Sequence, residues 1–393
     1  MDRKPLRENT FTAEAMSKSG YGVMIEQILK EKMTGLPAIL VVTFLCVCTG
    51  LDCKKEAPIV PPTQPSHPKL SWQVDTIVNP YAGSQLTLQG IWGTSPTNVY
   101  ACGFNGAGGA TLWHFNGTVW SYVRLNASQG GLIQGAIYLN AIYGFSENNI
   151  WAVGDKALNT SSPPYVADSS SIIHYDGANW TEVLMNRGAV LTAIAGISPT
   201  EIYAVSIKGE VFRYDGIEWK KYLIDSTATL FSVGGDDQRQ FIGGYHELTS
   251  NSYYSVYSRS GNSDWVEISR MSDEENQLNP KFGYHFYAPG GNSYYSSGYG
   301  IFSFGNSAWT REYYDGYPYS SIAGTGTNNI YAISPFAKVI QWDGNDWAFI
   351  NLPSNVAEYP YFNRVWVSGT DVFISSYGMQ DNRSYILHGH VQK

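Results

Sequence analysis

The chain has 393 residues, of which 43% are hydrophobic, 15% aromatic and only 15% charged, and its formal net charge is −8. Soluble domains average about 25% charged residues. The abundance of Gly and Tyr and the scarcity of Lys and Glu exclude a helical bundle, a coiled coil and a disordered acidic tail, and they favour short strands joined by turns. The negative balance, with no stripe of Lys or Arg, also excludes duplex nucleic acid as a partner.

The N-terminal segment has the pattern of an export signal. Residues 36–48 read LPAILVVTFLCVC, an almost unbroken apolar run that follows Lys30 and Lys32. A membrane-spanning helix needs about 20 apolar residues, whereas the core of a signal peptide needs about 7–15. We therefore predict a signal peptide over residues 1–52, and an overextended start is one explanation for the polar residues 1–23.

The cysteines cluster near this signal. Cys46, Cys48 and Cys53 lie close together and Cys102 stands apart, a spacing that predicts neither a disulfide framework nor a metal site, and no cofactor is expected. An apolar run followed by Cys53, two lysines and several prolines resembles the signal of bacterial lipoproteins, in particular those of Bacteroidetes. The resemblance implies lipidation of Cys53, a Pro-rich tether over residues 53–69 and an outer-membrane or cell-surface location. Secretion, a periplasmic location and a short membrane anchor are the alternatives.

From residue 70 onward one pattern repeats. Its clearest copy reads LTAIAGIS, EIYAVSI, EVFRYD and EWKKYLI, four runs rich in Ile, Val, Tyr and Phe with turn residues between them. Such runs predict a four-stranded antiparallel meander. Pairs such as Asp176-Gly177 and Asp215-Gly216 precede the last run, and we expect both residues of each pair to adopt the positive φ of a tight hairpin.

A Trp marks the fourth run of each copy and therefore counts the copies. These residues are Trp72, Trp120, Trp180, Trp219, Trp265, Trp309 and Trp347. Their spacing is typical of propeller blades. The last copy has three runs before the chain stops, while the run around Trp72 has no copy before it. We therefore predict an all-β fold, a seven-bladed β-propeller over residues 70–393 whose N-terminal strand completes the last blade near Arg364. Six blades is the alternative.

The repeat also indicates a family likeness. The pattern G-[ST]-P-x-[ND]-[IV]-[WY]-A-V-G followed by H-[YF]-[DN]-G-x-x-W resembles the short propeller repeats of secreted bacterial proteins, and it covers about residues 70–391. It resembles sialidase-type and Kelch-type propellers in size only. His114 and His174 occupy equivalent positions of the repeat, so we predict structural roles for both.

No sequence pattern for a catalytic site is present, and we predict no catalytic residue. In a meander, the loops alternate between the two faces of the disc, and the longer segments here all fall on one face: 155–171, 245–252, 270–281, 353–360 and 378–383. The acidic run 273–275 is expected to be a solvated part of these loops. Because rigid scaffolds present binding residues on loops, we predict ligand contacts on this face from Tyr165, Tyr245, His246, Tyr317, Tyr319 and Tyr359.

These observations predict a monomeric, membrane-anchored module that binds a protein or a glycan through its long loops, without catalysis. One alternative is a carbohydrate-active enzyme, a glycosidase or a lyase, which would need carboxylates in the central funnel, about 5 Å apart for retaining hydrolysis. The other is a structural part of an envelope or secretion assembly.

Overall fold

The described part of the chain contains seven four-stranded antiparallel sheets. The structure is a computed structural model that describes residues 67–81, 83–159, 166–187, 189–354, 361–378 and 383–392. These residues belong to the unit Pro65–Lys393. No helix within these ranges has the length and apolar character of a membrane span. The predicted signal peptide, Cys53 and most of the predicted tether lie outside the described residues.

The chain begins its regular structure with β1 (Leu70–Ile77) and then forms the blades in order. Blade 1 contains β2 (Leu86–Ser95), β3 (Asn98–Asn105), β4 (Leu112–Phe115) and β5 (Trp120–Tyr122). Blade 2 contains β6 (Ile137–Ser146), β7 (Asn149–Asn159), β8 (Val166–Tyr175) and β9 (Trp180–Arg187). Blade 3 contains β10 (Leu191–Ser198), β11 (Glu201–Ser206), β12 (Glu210–Tyr214) and β13 (Trp219–Leu223).

The second half continues in the same way. Blade 4 contains β14 (Thr229–Gly235), β15 (Gln240–His246), β16 (Tyr253–Arg259) and β17 (Val266–Ser272). Blade 5 contains β18 (His285–Gly290), β19 (Ser293–Gly298), β20 (Gly300–Gly305) and β21 (Ala308–Tyr313). Blade 6 contains β22 (Ser321–Gly326), β23 (Asn329–Ser334), β24 (Lys338–Trp342) and β25 (Trp347–Phe349). The last three strands are β26 (Tyr361–Ser368), β27 (Asp371–Gly378) and β28 (Arg383–Val391).

The N-terminal strand closes the ring. Blade 7 has the order β1-β28-β27-β26, and β1 pairs with β28 along its whole length, from Leu70 opposite Val391 to Ile77 opposite Ser384. The first strand of each blade contacts the first strands of both neighbouring blades, and β26 contacts β2. The predicted seven-bladed propeller and its closure by the segment around Trp72 are confirmed. A closed ring leaves no blade face without a neighbour.

The hydrophobic core is divided among the gaps between blades. Buried residues form seven clusters, each drawn from two adjacent blades, including one that joins blade 7 to blade 1 through Phe373, Ile386, Leu88 and Val99. Four of the tryptophans that mark the repeat, Trp120, Trp180, Trp219 and Trp347, pack on the aromatic residue that precedes the Asn-Gly or Asp-Gly pair of their turn. Tyr175, for example, stacks on Trp180 with ring centroids 5.3 Å apart. Such cross-strand aromatic pairs stabilise the outer hairpins of blades 1, 2, 3 and 6.

Polar side chains join the innermost strands to one another. Several of these strands carry a bulge at the same position, and in blades 2, 3 and 7 the bulged residue reaches the next blade. Asn140 Nδ2 donates to Leu191 O at 2.8 Å and Thr192 Oγ1 donates to Leu230 O at 2.7 Å. Asn363 Nδ2 donates across the closure of the ring to Leu88 O at 2.7 Å. The bulge therefore supplies hydrogen bonds where strands of different sheets meet.

The Asp-Gly turns differ from the prediction in one respect. Gly177, Gly216 and Gly344 adopt positive φ, whereas the preceding aspartates do not. Asp176 Oδ1 instead accepts hydrogen bonds from two backbone N–H groups of its own turn, those of Ala178 and Asn179, both at 2.8 Å. The Asp is therefore selected for its side-chain acceptor and only the Gly for its backbone conformation.

The two faces of the disc have different connections. The short-turn face carries the turns after the first and third strands, such as 147–148, 176–179, 215–218 and 343–346. The long-loop face carries the remaining connections, such as 123–136, 224–228, 247–252, 314–320 and 335–337. The acidic run 273–275 also lies on this face, but it is not a loop: it forms the first turn of helix α1 (Asp273–Leu278), where a capping box joins Ser272 to Glu275. Acidic side chains are favourable there because they face the positive end of the helix dipole.

Candidate functional site

Two of the residues predicted to contact a ligand belong to the core. His246 and Tyr319 have 0% and 1% of their surface exposed, so neither ring offers a surface to a ligand. His246 is surrounded by hydrogen-bonding partners: its Nδ1 lies 3.0 Å from Thr227 Oγ1, and its Nε2 lies 3.1 Å from Ser255 Oγ. The burial of this network lowers the pKa of His246. We expected His246 to be exposed because it is polar and adjoins a loop. Its hydrogen bonds to Thr227 and Ser255 instead allow the imidazole to be buried at the end of β15.

Tyr319 is held in the same manner. Its hydroxyl donates to Asp315 Oδ2 at 3.1 Å and its backbone N–H donates to Gly298 O at 2.7 Å. Burial and the Asp315 carboxylate raise the pKa of this phenol. Tyr319 therefore fastens the loop between blades 5 and 6 to the core. Tyr165 and Tyr359 lie outside the described residues.

The other two predicted contacts are half-buried and already engaged. Tyr245 donates its hydroxyl to Asp273 Oδ2 at 3.0 Å. The ring of Tyr317 faces the Lys338 ammonium, whose Nζ lies 2.9 Å from the ring centroid and 3.2 Å from Asp315 Oδ2. Phe336, which is 46% exposed, lies beside Tyr317. Tyr317 and Phe336 thus form an aromatic patch whose nearby charges neutralise each other.

The centre of the ring does not have the composition of a hydrolase funnel. The seven innermost strands, all within the described residues, contain no Asp and no Glu. Their one Lys or Arg residue is Arg364, whose Nη1 donates to Ser320 O at 3.3 Å and to Asn363 O at 3.1 Å. The enzyme alternative needs carboxylates at this position, and these strands supply none.

Two grooves lie on the rim of the disc, on either side of β5. Groove A, between blades 7 and 1, has a volume of about 420 Å³. Its walls include Trp113, Trp120 and Tyr122 from blade 1 and Val78, the residue that follows β1. Groove B, between blades 1 and 2, has a volume of about 390 Å³. Both volumes are in the range of sites that bind small groups or peptide side chains.

The walls of groove B come from both of its blades and from the loop that joins them. They include Tyr100 and Val123 of blade 1, Tyr175 and Trp180 of blade 2, and Leu132 of the loop. Apolar side chains stand exposed at the rims of the two grooves, since Val78 is 74% exposed and Leu132 is 60% exposed. The rim of blade 1 therefore combines concave aromatic walls with exposed aliphatic groups.

Arg124 lies between the two grooves and lines both of them. It is exposed, and no carboxylate in the described ranges pairs with it. The neighbouring Trp120 has a partner, since its Nε1 donates to Asp75 Oδ2 at 3.1 Å. The strand β5 is the outermost strand of its sheet, so its outer edge has no strand partner within that sheet. A cation, aromatic walls and an open strand edge are thus brought together at one place.

The sequence did not indicate these grooves. Their walls come from three blades, and most of their residues are copies of the structural repeat, which explains why no pattern distinguishes them. One signal was present: the interval from Trp120 to Trp180 is the largest between successive marker tryptophans. The extra residues include segment 123–136, which contains Arg124 and Leu132.

A different group of side chains has the chemistry of metal ligands. Within the described residues, His67, Asp343 and Asp346 are the one set of three or more His, Cys, Asp or Glu side chains close enough to share an ion. They lie on the short-turn face, away from the predicted site. Cys102 is a free, buried thiol, and burial raises its pKa to about 12, so it is an inert core residue.

Comparison with known proteins supports the fold. No protein-family model matches this sequence, and no curated protein matches it. Among solved structures, the chain is similar to YCF48 bound to a D1 peptide, with 15% sequence identity and a TM-score of 0.55, covering 84% of this chain and 100% of that one. It is also similar to YCF48 from Cyanidioschyzon merolae, with 13% identity and a TM-score of 0.53, covering 81% of this chain and 98% of that one. At such identities the similarity concerns the propeller fold alone.

Proposed function

We propose that this protein is a non-enzymatic binding module that holds an extended segment of a protein partner along the rim of blade 1. The observation that carries the proposal is the unpaired Arg124 between two aromatic-walled grooves. The similarity to a propeller described in complex with a peptide supports a peptide ligand for this fold. The absence of Asp and Glu from the innermost strands favours binding over hydrolysis.

The grooves define the chemistry of the partner. We expect Arg124 to bind a carboxylate of the partner, because a guanidinium can donate two parallel hydrogen bonds to one. The exposed Val78 and Leu132 and the aromatic walls of the two grooves would pack against apolar side chains on both sides of that carboxylate. The free edge of β5 offers backbone hydrogen bonds to an added strand. The partner segment is therefore extended, with one acidic residue flanked by aliphatic or aromatic residues.

A display library of random peptides, panned against the full chain, tests this proposal. We expect enriched peptides to share an acidic residue between apolar ones, and Arg124→Ser to weaken their binding about tenfold or more, since a charged hydrogen bond contributes roughly 1.5–3 kcal/mol. Leu223→Ser is the control, because Leu223 is also exposed, at 62%, and ends the outer strand of blade 3. Peptides that bind Arg124→Ser and the native protein equally would refute the proposal. Binding on a glycan array that Trp120→Ala abolishes would favour a carbohydrate ligand instead.

We also propose that the propeller is a lipoprotein, anchored through Cys53 at the outer membrane or cell surface. The support is the apolar run 36–48, followed by Cys53 and a Pro-rich stretch. Two acyl chains hold a protein firmly, since each buried methylene contributes about 0.8 kcal/mol. Cys53→Ser should release the protein from the membrane fraction, and unchanged retention would contradict the anchor.

A further inference from the structure

We infer that His67, Asp343 and Asp346 form a binding site for a divalent cation of the zinc class, which fastens the start of the propeller to the outer turn of blade 6. His67 precedes β1, and the two aspartates belong to the turn between β24 and β25. One ligand atom from each of the three side chains lies within 4.8 Å of the others. The inference is independent of the partner that the rim of blade 1 binds.

A chain of hydrogen bonds determines which nitrogen of His67 carries a proton. It begins at a backbone carbonyl, Gly369 O, which can only accept, and which receives a bond from Asn329 Nδ2 at 3.3 Å. Asn329 must therefore present its oxygen to Gln341 Nε2, which lies 3.2 Å from it. Gln341 in turn presents its oxygen to His67 Nδ1, at 3.1 Å. Nδ1 is consequently the donor of the ring.

This assignment leaves Nε2 of a neutral His67 with a lone pair that points at a carboxylate. Nε2 lies 3.1 Å from Asp346 Oδ1. Two acceptors at that distance repel each other unless a proton or a metal ion lies between them. Two bonds of about 2.0–2.2 Å to a common tetrahedral ion would separate their ligand atoms by roughly 3.3–3.6 Å, a few tenths of an ångström more than the 3.1 Å seen here. A histidine that binds a metal usually donates its other ring N–H to an acceptor. Here that acceptor is the amide oxygen of Gln341.

The second aspartate is preorganised by its turn. Asp343 Oδ1 accepts the N–H groups of Asn345 and Asp346, at 2.8 Å and 3.2 Å. These bonds orient the carboxylate and leave its Oδ2 for an ion. His67 is mostly buried, with 12% of its side chain exposed, whereas Asp346 is 53% exposed. Water therefore has access to complete the coordination shell.

Blade 3 shows what the same turn does when its own strand provides the cation. There the equivalent pair, Asp215 and Glu218, holds the Lys220 ammonium, whose Nζ lies 2.7 Å and 3.2 Å from the two carboxylates. In blade 6 the position of Lys220 is occupied by Ala348. The acidic pair of blade 6 is thus completed from outside the blade, by an imidazole that can coordinate a metal, as an ammonium cannot.

The donor set selects the ion. One imidazole nitrogen and two carboxylate oxygens suit Zn²⁺ and related transition metals, whereas Ca²⁺ and Mg²⁺ prefer shells made of oxygen alone. Because β1 closes the ring, an ion at His67 would stabilise the closed propeller by binding the folded state only. The sequence had predicted no metal site, since that prediction rested on the cysteines.

Zinc chloride titration of the full chain, first stripped with a chelator, tests the site by calorimetry and by the melting temperature. We expect zinc binding in the native protein that raises Tm, and a loss of more than about 100-fold in affinity for this site in His67→Gln. Gln341→Leu, which removes only the partner of the ligand, should weaken binding about 10–100-fold. Asp215→Asn in blade 3 is the matched control and should bind zinc as the native protein does.

Comparison with His67→Gln separates this site from zinc held by the N-terminal cysteines. Equal zinc affinity and equal Tm shifts in the native protein and in His67→Gln would overturn the inference. So would the absence of zinc binding, which would mean that a proton alone joins His67 to Asp346. A Tm rise with calcium chloride as large as that with zinc would contradict the choice of ion.

Discussion

The two faces of the propeller are built by different rules. On the short-turn face, the same contacts recur from blade to blade: His114 Nε2 lies 2.7 Å from Asn98 Oδ1, and His174 Nε2 lies 3.0 Å from Asn149 Oδ1. In blade 7 the corresponding pair is His388 and Asp371, 2.6 Å apart. On the long-loop face each blade differs, with a buried histidine in blade 4, a helix before blade 5 and an aromatic patch around Lys338 in blade 6.

This difference shows where the fold constrains the sequence. The three histidines His114, His174 and His388 also stack on an aromatic ring of the neighbouring strand, as His174 does on Trp151 with ring centroids 4.0 Å apart. A polar pair at the same two positions also joins the strands of blade 3, between Glu201 and Arg213, and of blade 6, between Asn329 and Gln341, so this contact belongs to the repeat. The predicted structural roles of His114 and His174 agree with this arrangement. Loops of the other face connect blades without shaping them, which leaves their sequence free to acquire binding roles.

The largest expected loss of stability concerns His246, a structural residue on the face where the loops otherwise vary. His246 lies on the long-loop side but is buried, so His246→Ala leaves a cavity and removes the partner of Ser255 Oγ. We expect the free energy of unfolding in urea to fall by about 2–4 kcal/mol. His390→Ala is the control, since 52% of that side chain is exposed. A loss below about 1 kcal/mol would show that His246 is not a structural residue.

A smaller loss of stability is expected when a glycine of a short turn is replaced. Gly177 has φ 96°, and a Cβ at this position would lie 2.6 Å from Asn148 Oδ1. Gly177→Ala should therefore destabilise the protein by about 1–2 kcal/mol. Gly305→Ala is the matched control, because its Cβ would meet nothing within 4 Å. Thermal unfolding of both variants makes the comparison, and equal melting temperatures would contradict it.

The smallest effect concerns pH. Burial raises the pKa of Asp371, but hydrogen bonds from His388, His390 and Thr370 outweigh it, and the net shift is downward. A carboxyl whose pKa is lowered by folding contributes stability above its unfolded value of about 3.9, and this stability is lost as the pH falls through the folded pKa. Asp371→Asn should cost roughly 1 kcal/mol at pH 7, and the difference should shrink as the pH falls below about 4.

Thermal unfolding of the native protein and Asp371→Asn from pH 7 to about pH 3 provides the measurement. If the difference in melting temperature between the two proteins stayed constant over this pH range, the charge of the Asp371 carboxylate would contribute nothing to stability.

The repeat was readable from the sequence because it is local. Strands, turns and marker tryptophans recur within each copy, and counting the runs at both ends was enough to predict that β1 completes blade 7. The predicted face of long loops rested on the same reading. Which side chains of this face are buried could not be predicted, because burial depends on how separate elements meet: His246 is held by Thr227 of the loop before β14 and by Ser255 of β16. Tyr319 is held by Asp315 of its own loop and by Gly298 of β19.

The sequence by itself therefore determined the architecture, since the alternation of apolar residues and the turn chemistry act over a few residues and repeat in every blade. Only the tertiary structure decided the sites. It placed Arg124 between walls drawn from blades 7, 1 and 2, and it brought His67 to the turn of Asp343 and Asp346. The physical reason is that ring closure sets these distances, and no local pattern records which residues will become neighbours once the ring is closed.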